Sequence, residues 1–169
     1  MLLAQRYETD HSSIAAVRIV VVAVGRARSP FTDDIAHYER LLRRQARLET
    51  LEVREAKADP ERPAEALARE SEAVLTRIPG DAFACVLDRE GAALSSLELS
   101  RFLDERRHSG RDLFFIVGGP FGVADAVGDR ADARLSLGPV TLPHQLARVV
   151  LLEQLFRAHK ILAGEPYHY

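Results

Sequence analysis

Residues 113–122 read LFFIVGGPFG, and residues 135–169 read LSLGPVTLPHQLARVVLLEQLFRAHKILAGEPYHY. In each stretch, a short apolar run typical of a buried strand passes directly into a loop rich in glycine and proline. Glycine has no side chain, so loops of this kind bring bare backbone close to a ligand. Because open α/β sheets bind ligands at the carboxyl ends of their strands, the two loops are candidate walls of one pocket.

Working outward from these loops, the pattern alternates strands and helices, which predicts an α/β fold with a mostly parallel sheet and helices on both faces. The predicted strands are 17–25, 48–53, 82–87, 113–117 and 133–137. The first predicted helix follows Pro30, with Thr32 or Asp33 as cap and apolar residues at helix spacing as far as Leu42. The second is opened by Pro60 and Pro63 and runs to about residue 78. The others are 95–109, which Ser95 or Ser96 starts, 123–131, and 143–163.

The domain organisation is equally simple. Residues 17–169 are expected to form a single domain, and residues 1–16 a polar N-terminal extension that is a candidate for disorder. The sequence Asp88-Arg89-Glu90-Gly91 predicts a turn that ends the third strand.

Composition excludes several classes of protein. The net charge of −2 does not mark a bulk nucleic-acid binder, although a local basic patch stays open. The lone Cys85 cannot form an internal disulfide, which favours a reducing compartment and a cytoplasmic location. No apolar stretch reaches the ~20 residues that span a bilayer, and the histidines lack metal-ligand spacing. Neither a membrane nor a metal is therefore expected as a partner.

The GGPFG loop matches neither a dinucleotide fingerprint nor a phosphate loop, and alone it is more typical of a tight connection. Two further features favour a binding site: a second glycine-proline pair, Gly138-Pro139, and Leu87-Asp88 at the end of the preceding strand. For His144 at the start of the last helix, a structural cap and a catalytic role both stay open. No serine lies in a nucleophile elbow, so acyl transfer has no support.

The last helix and the tail behind it point to partners. The helix is apolar around most of its circumference, so it requires cover on more than one side, and we expect a homodimer. The tail Glu165–Tyr169 ends in two tyrosines and a histidine, which can stack on a nucleobase and hydrogen-bond it. The alternative is that Tyr167 simply packs on the domain.

At this point VAVG, IVGGPFG, LSLGPVTLPHQLARVVLLEQLFRAHKI and the terminal PYH together resemble a known family. They resemble the bacterial methyltransferases of the SPOUT superfamily that modify N3 of a pseudouridine in 23S ribosomal RNA, on the large subunit or the assembled ribosome. The resemblance spans Val17 to His168. It implies a C-terminal trefoil knot, a homodimer, S-adenosylmethionine as methyl donor, and ribosomal RNA or the ribosome as partner.

The resemblance also implies roles for individual residues. Tyr167 and His168 would position the target base, while Arg148 and Arg157 would contact RNA phosphates. Tyr169 stands where members of the family often carry a basic residue, so no role of a terminal arginine or lysine is carried over to this chain. The donor pocket would be formed by Leu87, Gly118, Leu137, Gly138, Pro139, Val140, Thr141 and Leu142.

Two other functions stay open on the residues alone. One is a non-enzymatic factor that binds or assembles ribosomes and keeps a vestigial pocket. The other is a methyltransferase of the same fold that acts on tRNA, because target choice depends on surfaces that one sequence does not reveal.

Overall fold

The computed structural model describes residues 17–57 and 63–167, so the expectations for residues 1–16, His168 and Tyr169 lie outside the described residues. Within these two ranges, five strands form one sheet in the order β2-β1-β4-β3-β5, and every pairing in it is parallel. The strands are β1 (Arg18–Val24), β2 (Arg47–Val53), β3 (Phe83–Ala93), β4 (Leu113–Val117) and β5 (Ala133–Ser136). This sheet confirms the predicted α/β class.

In the described part of the chain, five helices connect the strands and cover both faces of the sheet. They are α1 (Thr32–Leu42), α2 (Pro63–Leu75), α3 (Ser96–Arg107), α4 (Asp125–Arg130) and α5 (His144–Leu162). One buried cluster unites α1, α3 and α5 with one face, and a second unites α2 and α4 with the other. The trefoil knot that the resemblance implies stays a prediction.

Strand β1 shows why the sequence builds two cores. Its residues are buried from Ile19 to Val24, and alternate side chains point to opposite faces of the sheet. Ile19, Val21 and Ala23 belong to the cluster with α5, while Val20, Val22 and Val24 belong to the cluster with α2. A continuous apolar run is what a parallel strand covered on both faces requires.

The end of β3 corrects the sequence prediction. The strand does not stop at Leu87 but continues to Ala93, and both Leu87 and Ala92 pair with Leu135 of β5. The turn chemistry is present, because the Asp88 carboxylate accepts a hydrogen bond from the Glu90 N–H at 3.0 Å. Residues 88–91 therefore interrupt the register without ending the strand.

Of the two helix caps predicted from sequence, one is wrong and one is confirmed. Helix α1 begins at Thr32, but its N-cap residue is Phe31 and no side chain caps it, so neither Thr32 nor Asp33 is the cap. Helix α3 has the expected cap at Ser95, whose hydroxyl accepts from the Glu98 N–H at 3.2 Å. The Glu98 carboxylate accepts in return from the Ser95 N–H at 2.8 Å, which completes a capping box.

Helix α5 is more completely covered by its own chain than its sequence suggests. It packs between α1 and α3, and none of its residues is exposed. Leu151, Leu152 and Leu155 are fully buried, whereas Leu146 and Val150 are half-buried. Elements of the same chain therefore cover α5 on more than one side. The apolar surface of α5 alone is then no longer an argument for a dimer. Within the described residues, no helix is long and apolar enough to cross a membrane.

Helix α2 carries a buried carboxyl group. The Glu70 side chain is 5% exposed and accepts a hydrogen bond from the Ala56 N–H at 2.8 Å. Burial raises the pKa of Glu70 above its ordinary value despite that hydrogen bond, and the neighbouring Glu55 carboxylate adds to the increase. Because the folded-state pKa is raised, the stability that Glu70 contributes is full at low pH. It is lost as the pH rises through the folded-state pKa.

We therefore expect Glu70→Gln to make folding less dependent on pH. The amide oxygen still accepts from Ala56, but no charge has to be buried above the ordinary carboxyl pKa of 4.5. Urea unfolding at about pH 4.5 and about pH 7.5 should show a stability gain over wild type only at the higher pH. Glu65→Gln, at a side chain 68% exposed on the same helix, is the control. A loss of stability at about pH 7.5 would contradict the assignment.

Candidate functional site

A cavity of about 600 Å³ opens at the carboxyl edge of the sheet. The ends of β3, β4 and β5 and the first turn of α5 enclose it, which is where an open α/β sheet binds its ligands. The cavity is lined by Leu87, Asp88, Arg89, Val117, Gly118, Gly119, Pro120, Gly122, Leu135, Ser136, Leu137, Gly138, Val140, Thr141, Leu142, Pro143, His144 and Ala147.

The structure brings together most of the residues expected for a donor pocket. Of the eight, Pro139 alone does not line the cavity; it lies between two residues that do. Leu87 comes from β3, Gly118 from the loop after β4, and the others from the loop after β5. Asp88, Arg89, Ser136, His144 and Ala147 also line it and were not in that expected set.

The loop after β4 is closed by its own backbone. The Gly119 N–H donates to the Gly122 oxygen at 3.2 Å, and the Gly122 N–H donates back to the Gly119 oxygen at 3.0 Å. A Cβ atom on Gly118 would lie 2.5 Å from the Gly122 oxygen. Glycine at position 118 is therefore required to close the loop itself, before any ligand is considered.

The loop after β5 is held by a serine hydroxyl. Ser136 Oγ accepts from the Gly138 N–H at 3.2 Å and donates to the Gly138 oxygen at 3.0 Å. Gly138 has a φ of +118°, and a Cβ atom there would meet nothing within 4 Å. The cavity wall therefore has no side chain at this point, so a ligand can approach the backbone closely.

The cavity contains few charges. The Asp88 carboxylate accepts from the Glu90 N–H and from Arg134 Nη1 at 2.9 Å, and these hydrogen bonds hold the pKa of Asp88 below its ordinary value. Arg89 lies at the mouth with its side chain 70% exposed. Much of the remaining wall is apolar side chain or bare backbone, which is typical of a small-molecule site.

His144 lies at the first position of α5, and Pro143 before it is the N-cap residue. Burial lowers the pKa of His144 below its ordinary value, although the Glu55 carboxylate acts in the opposite direction. The shift favours the neutral imidazole, and in that form one of the two ring nitrogens is an acceptor. Its position in the cavity wall, rather than a capping hydrogen bond, is what the structure shows for this residue.

A second cavity of about 390 Å³ lies behind the loop after β5. It is bounded by the end of β3, the start of α3 and the middle of α5, where Val150 and Gln154 line it. Residues 135–138 line both cavities, so a single loop separates them.

The structure does not support the expected RNA contact of Arg148. Its side chain is 4% exposed, and its guanidinium binds Glu52 at 2.8 Å and Glu39 at 3.3 Å. Burial alone would raise the pKa of Glu52, but hydrogen bonds from Arg148 and from the Ala27 N–H lower it below its ordinary value. Arg148 therefore ties α5 to α1 and β2 instead of presenting a charge to a partner.

Arg157 and Tyr167 lie together at the other end of α5. Arg157 pairs with Glu153 at 2.6 Å and donates to the backbone oxygen of Tyr167 at 3.0 Å. The Tyr167 ring packs edge-on against Phe156, with ring centroids 5.0 Å apart. Phe156 is twelve residues beyond His144, or about 18 Å along the helix. In its own chain, Tyr167 therefore packs on the domain and does not line the cavity.

Among residues 17–57 and 63–167, no group of three or more histidine, cysteine, aspartate or glutamate side chains is arranged to hold a metal ion.

A parallel sheet covered on both faces, with a backbone-lined cavity at its carboxyl edge, defines an α/β enzyme fold that binds a small ligand there. The sequence matches the model of the family described as "Predicted SPOUT methyltransferase" over residues 17–168. The chain therefore belongs to the SPOUT methyltransferase family.

Curated relatives agree with this assignment. A protein of Solidesulfovibrio magneticus named "Ribosomal RNA large subunit methyltransferase H" is 47% identical over 151 residues, which cover 88% of this chain and 97% of that protein. One of the same name from Rubrobacter xylanophilus is 48% identical over 155 residues, covering 90% and 98%.

Solved structures share the fold. A probable methyltransferase from Bordetella pertussis Tohama I superposes with a TM-score of 0.54 and 13% identity, over 85% of this chain and 95% of that chain. A putative methylase family protein from Neisseria gonorrhoeae gives a TM-score of 0.51 and 15% identity, over 83% and 81%.

We expect Ala147→Leu to block the cavity. The added side chain extends from the first turn of α5 into the cavity and leaves both glycine loops untouched. Binding of S-adenosylmethionine, measured by calorimetry, should weaken by about tenfold or more, while the melting temperature stays the same. Ala163→Leu, at the exposed end of the same helix, is the matched control. Equal affinity in both variants would place the ligand elsewhere.

We expect Arg148→Met to destabilise the protein by about 3 kcal/mol, because it removes the buried cation that Glu39 and Glu52 share and leaves Glu39 only its contact with the more exposed Arg43. Arg157→Met on the same helix removes a more exposed pair and should cost less than about 1 kcal/mol. Urea unfolding of both variants measures the difference. If Arg148→Met were as stable as wild type and bound RNA more weakly, the expected phosphate contact would be restored.

Proposed function

We propose that this protein transfers a methyl group from S-adenosylmethionine to N3 of a pseudouridine in 23S ribosomal RNA. The observation that carries the proposal is the convergence of three strand ends on one cavity, in a chain of the SPOUT methyltransferase family. Relatives that this chain matches over nearly their whole length are named as methyltransferases of the large-subunit ribosomal RNA. The choice of N3 of a pseudouridine as the target rests on the sequence resemblance described above.

The cavity fits the methyl donor. Its volume of about 600 Å³ lies within the range of small-molecule sites. Leu87, Leu137 and Leu142 offer apolar contact to a flat heterocycle. Its polar edge would be bound by backbone groups of the two glycine loops other than the Gly138 N–H, which Ser136 already holds. S-adenosylmethionine supplies, when bound, a methyl group that is already electrophilic. The protein is therefore not required to activate it.

The chain contributes orientation and proton handling. The two loops are rigid because one closes on itself through Gly119 and Gly122 and the other is pinned by Ser136. Holding two reactants in line supplies a large part of the ~7–11 kcal/mol available from proximity. The N3 proton of the base has to leave as the N–C bond forms. The neutral imidazole of His144, in the cavity wall, and His168 in the tail are the candidate acceptors.

The RNA side of the site requires a second subunit in this proposal. Tyr167 packs on Phe156, which lies about 14 Å along α5 from Ala147, the nearest residue of that helix to line the cavity of its own chain. A tail that grips the target base therefore reaches a cavity only in a partner, so the functional unit is a homodimer with a composite site. The contact of Arg157 with the Tyr167 backbone supports a positioning role for this arginine.

The experiment that tests the function uses ribosomes from a strain that lacks the protein. Purified protein and labelled donor are added, and the methylated nucleotide is mapped by mass spectrometry. Label on N3 of a pseudouridine in 23S RNA supports the proposal. Label on tRNA would favour the other methyltransferase function, and the absence of donor binding would favour a ribosome-assembly factor.

We expect deletion of residues 168–169 to separate the two halves of the site. Tyr167 keeps its packing on Phe156, so donor binding should stay unchanged. Methyl transfer to ribosomes should fall on the order of a hundredfold, because the base is no longer held in line. Deletion of Tyr169 alone is the control and should have little effect.

Mixed dimers test whether the site is shared. A subunit lacking residues 168–169 is combined with an Ala147→Leu subunit, at a donor concentration low enough that each homodimer alone has strongly reduced methyl transfer. Partial recovery of methyl transfer requires a tail from one chain and a cavity from the other. No recovery, or sedimentation of the wild type at the mass of a single chain, would contradict the composite site.

A further inference from the structure

Three large apolar side chains of the described residues are exposed, and two of them lie at the mouth of the donor cavity. Phe121 is 43% exposed and Val140 is 64% exposed. Val140 lines the cavity, and so do Pro120 and Gly122 on either side of Phe121. The third, Leu97, is 50% exposed on α3 and does not line this cavity. Exposed apolar groups at such a rim indicate a contact that the chain alone does not make.

The Phe121 ring is held on a rigid support. Reciprocal hydrogen bonds between Gly119 and Gly122 close a tight turn, with Pro120 and Phe121 at its corners. Gly122 takes the left-handed conformation with a φ of +81°. Proline fixes its own φ, so the turn has little freedom. An aromatic ring at this corner is presented to solvent at small entropic cost.

A cation lies at the same mouth. Arg89 lines the cavity, and its side chain is 70% exposed. Among the described residues it pairs only with Glu90, whose side chain is 80% exposed, at 3.9 Å, and a pair of this kind contributes little energy. The guanidinium is therefore free to exchange this contact for a stronger one, such as a phosphate.

The occupant that fits this combination is a nucleotide of the RNA substrate. A flat ring stacks on an aromatic side chain, an aliphatic side chain supports its edge, and a guanidinium binds the phosphate. An apolar surface of a second protein would match Phe121 and Val140 but would leave Arg89 without a partner.

We propose that Phe121, Val140 and Arg89 form the nucleotide-binding rim of the site: the Phe121 ring stacks on a base of the RNA substrate, and Arg89 binds its backbone phosphate. This assignment rests on the proposed function, because the rim surrounds the cavity that would hold the donor. It makes Phe121 a positioning residue for RNA, independent of the tail.

The test compares Phe121→Leu, Phe121→Tyr and the control Leu97→Ala in methyl transfer to ribosomes. Phe121→Leu keeps an apolar group but removes the ring, so KM for the ribosomal substrate should rise by about fivefold or more, with donor affinity unchanged. Phe121→Tyr retains the stacking surface and should restore KM to within about twofold of wild type. Leu97→Ala should behave as wild type.

The Arg89 contact has its own signature. Arg89→Gln should reduce the slope of log affinity against log salt concentration by about one for RNA binding, whereas Phe121→Leu should leave that slope unchanged. If Phe121→Leu had a normal KM, or changed sedimentation to a single chain, the rim would not bind RNA. Wild-type protein that bound the donor but methylated no RNA would refute the proposed function instead.

Discussion

Strand β4 is the element on which the rest of the site depends. All five of its residues are buried, and it lies between β1 and β3 in the sheet. Its carboxyl end therefore delivers the loop of residues 118–122 to the middle of the sheet edge. A loop on an edge strand would have one neighbour, but this one faces the ends of β3 and β5 and the start of α5. The cavity exists because a fully apolar strand is followed at once by a loop that closes on its own backbone.

The sequence predicted the fold well where burial and turn chemistry agree. The strands that are buried on both faces read as continuous apolar runs, and β1 and β4 were placed within a residue of their ends. The capping box at Ser95 is a local signal that needs no tertiary context. The predicted end of β3 was wrong because local turn chemistry and long-range strand pairing disagree there. Asp88 does form the local turn contact, but pairing with β5 resumes at Ala92, and a long-range pairing of this kind leaves no local signal.

The prediction of the site residues likewise succeeded where the signal is local and failed where it depends on distant parts of the chain. Glycine loops after two apolar strands identified two walls of the cavity from sequence, because the carboxyl ends of parallel strands meet at one edge of the sheet. Arg148 could not be assigned in this way, since on a helix its spacing looks like that of a solvated charge. Only the fold brings Glu39 and Glu52 from two other elements to meet it. Ser136 and Ala147 were missed because small residues carry no chemical signal until a cavity surrounds them.

Helix α5 has a further consequence as a spacer of fixed length. Its first turn forms part of the cavity wall, and its last turns carry the contacts that hold Tyr167. One straight element of 19 residues thus sets both the separation and the angular phase between these two features. Adding one residue to it would shift the far end by about 1.5 Å and rotate it by about 100°. The distance between the cavity and the contacts that hold Tyr167 is therefore set by helical geometry.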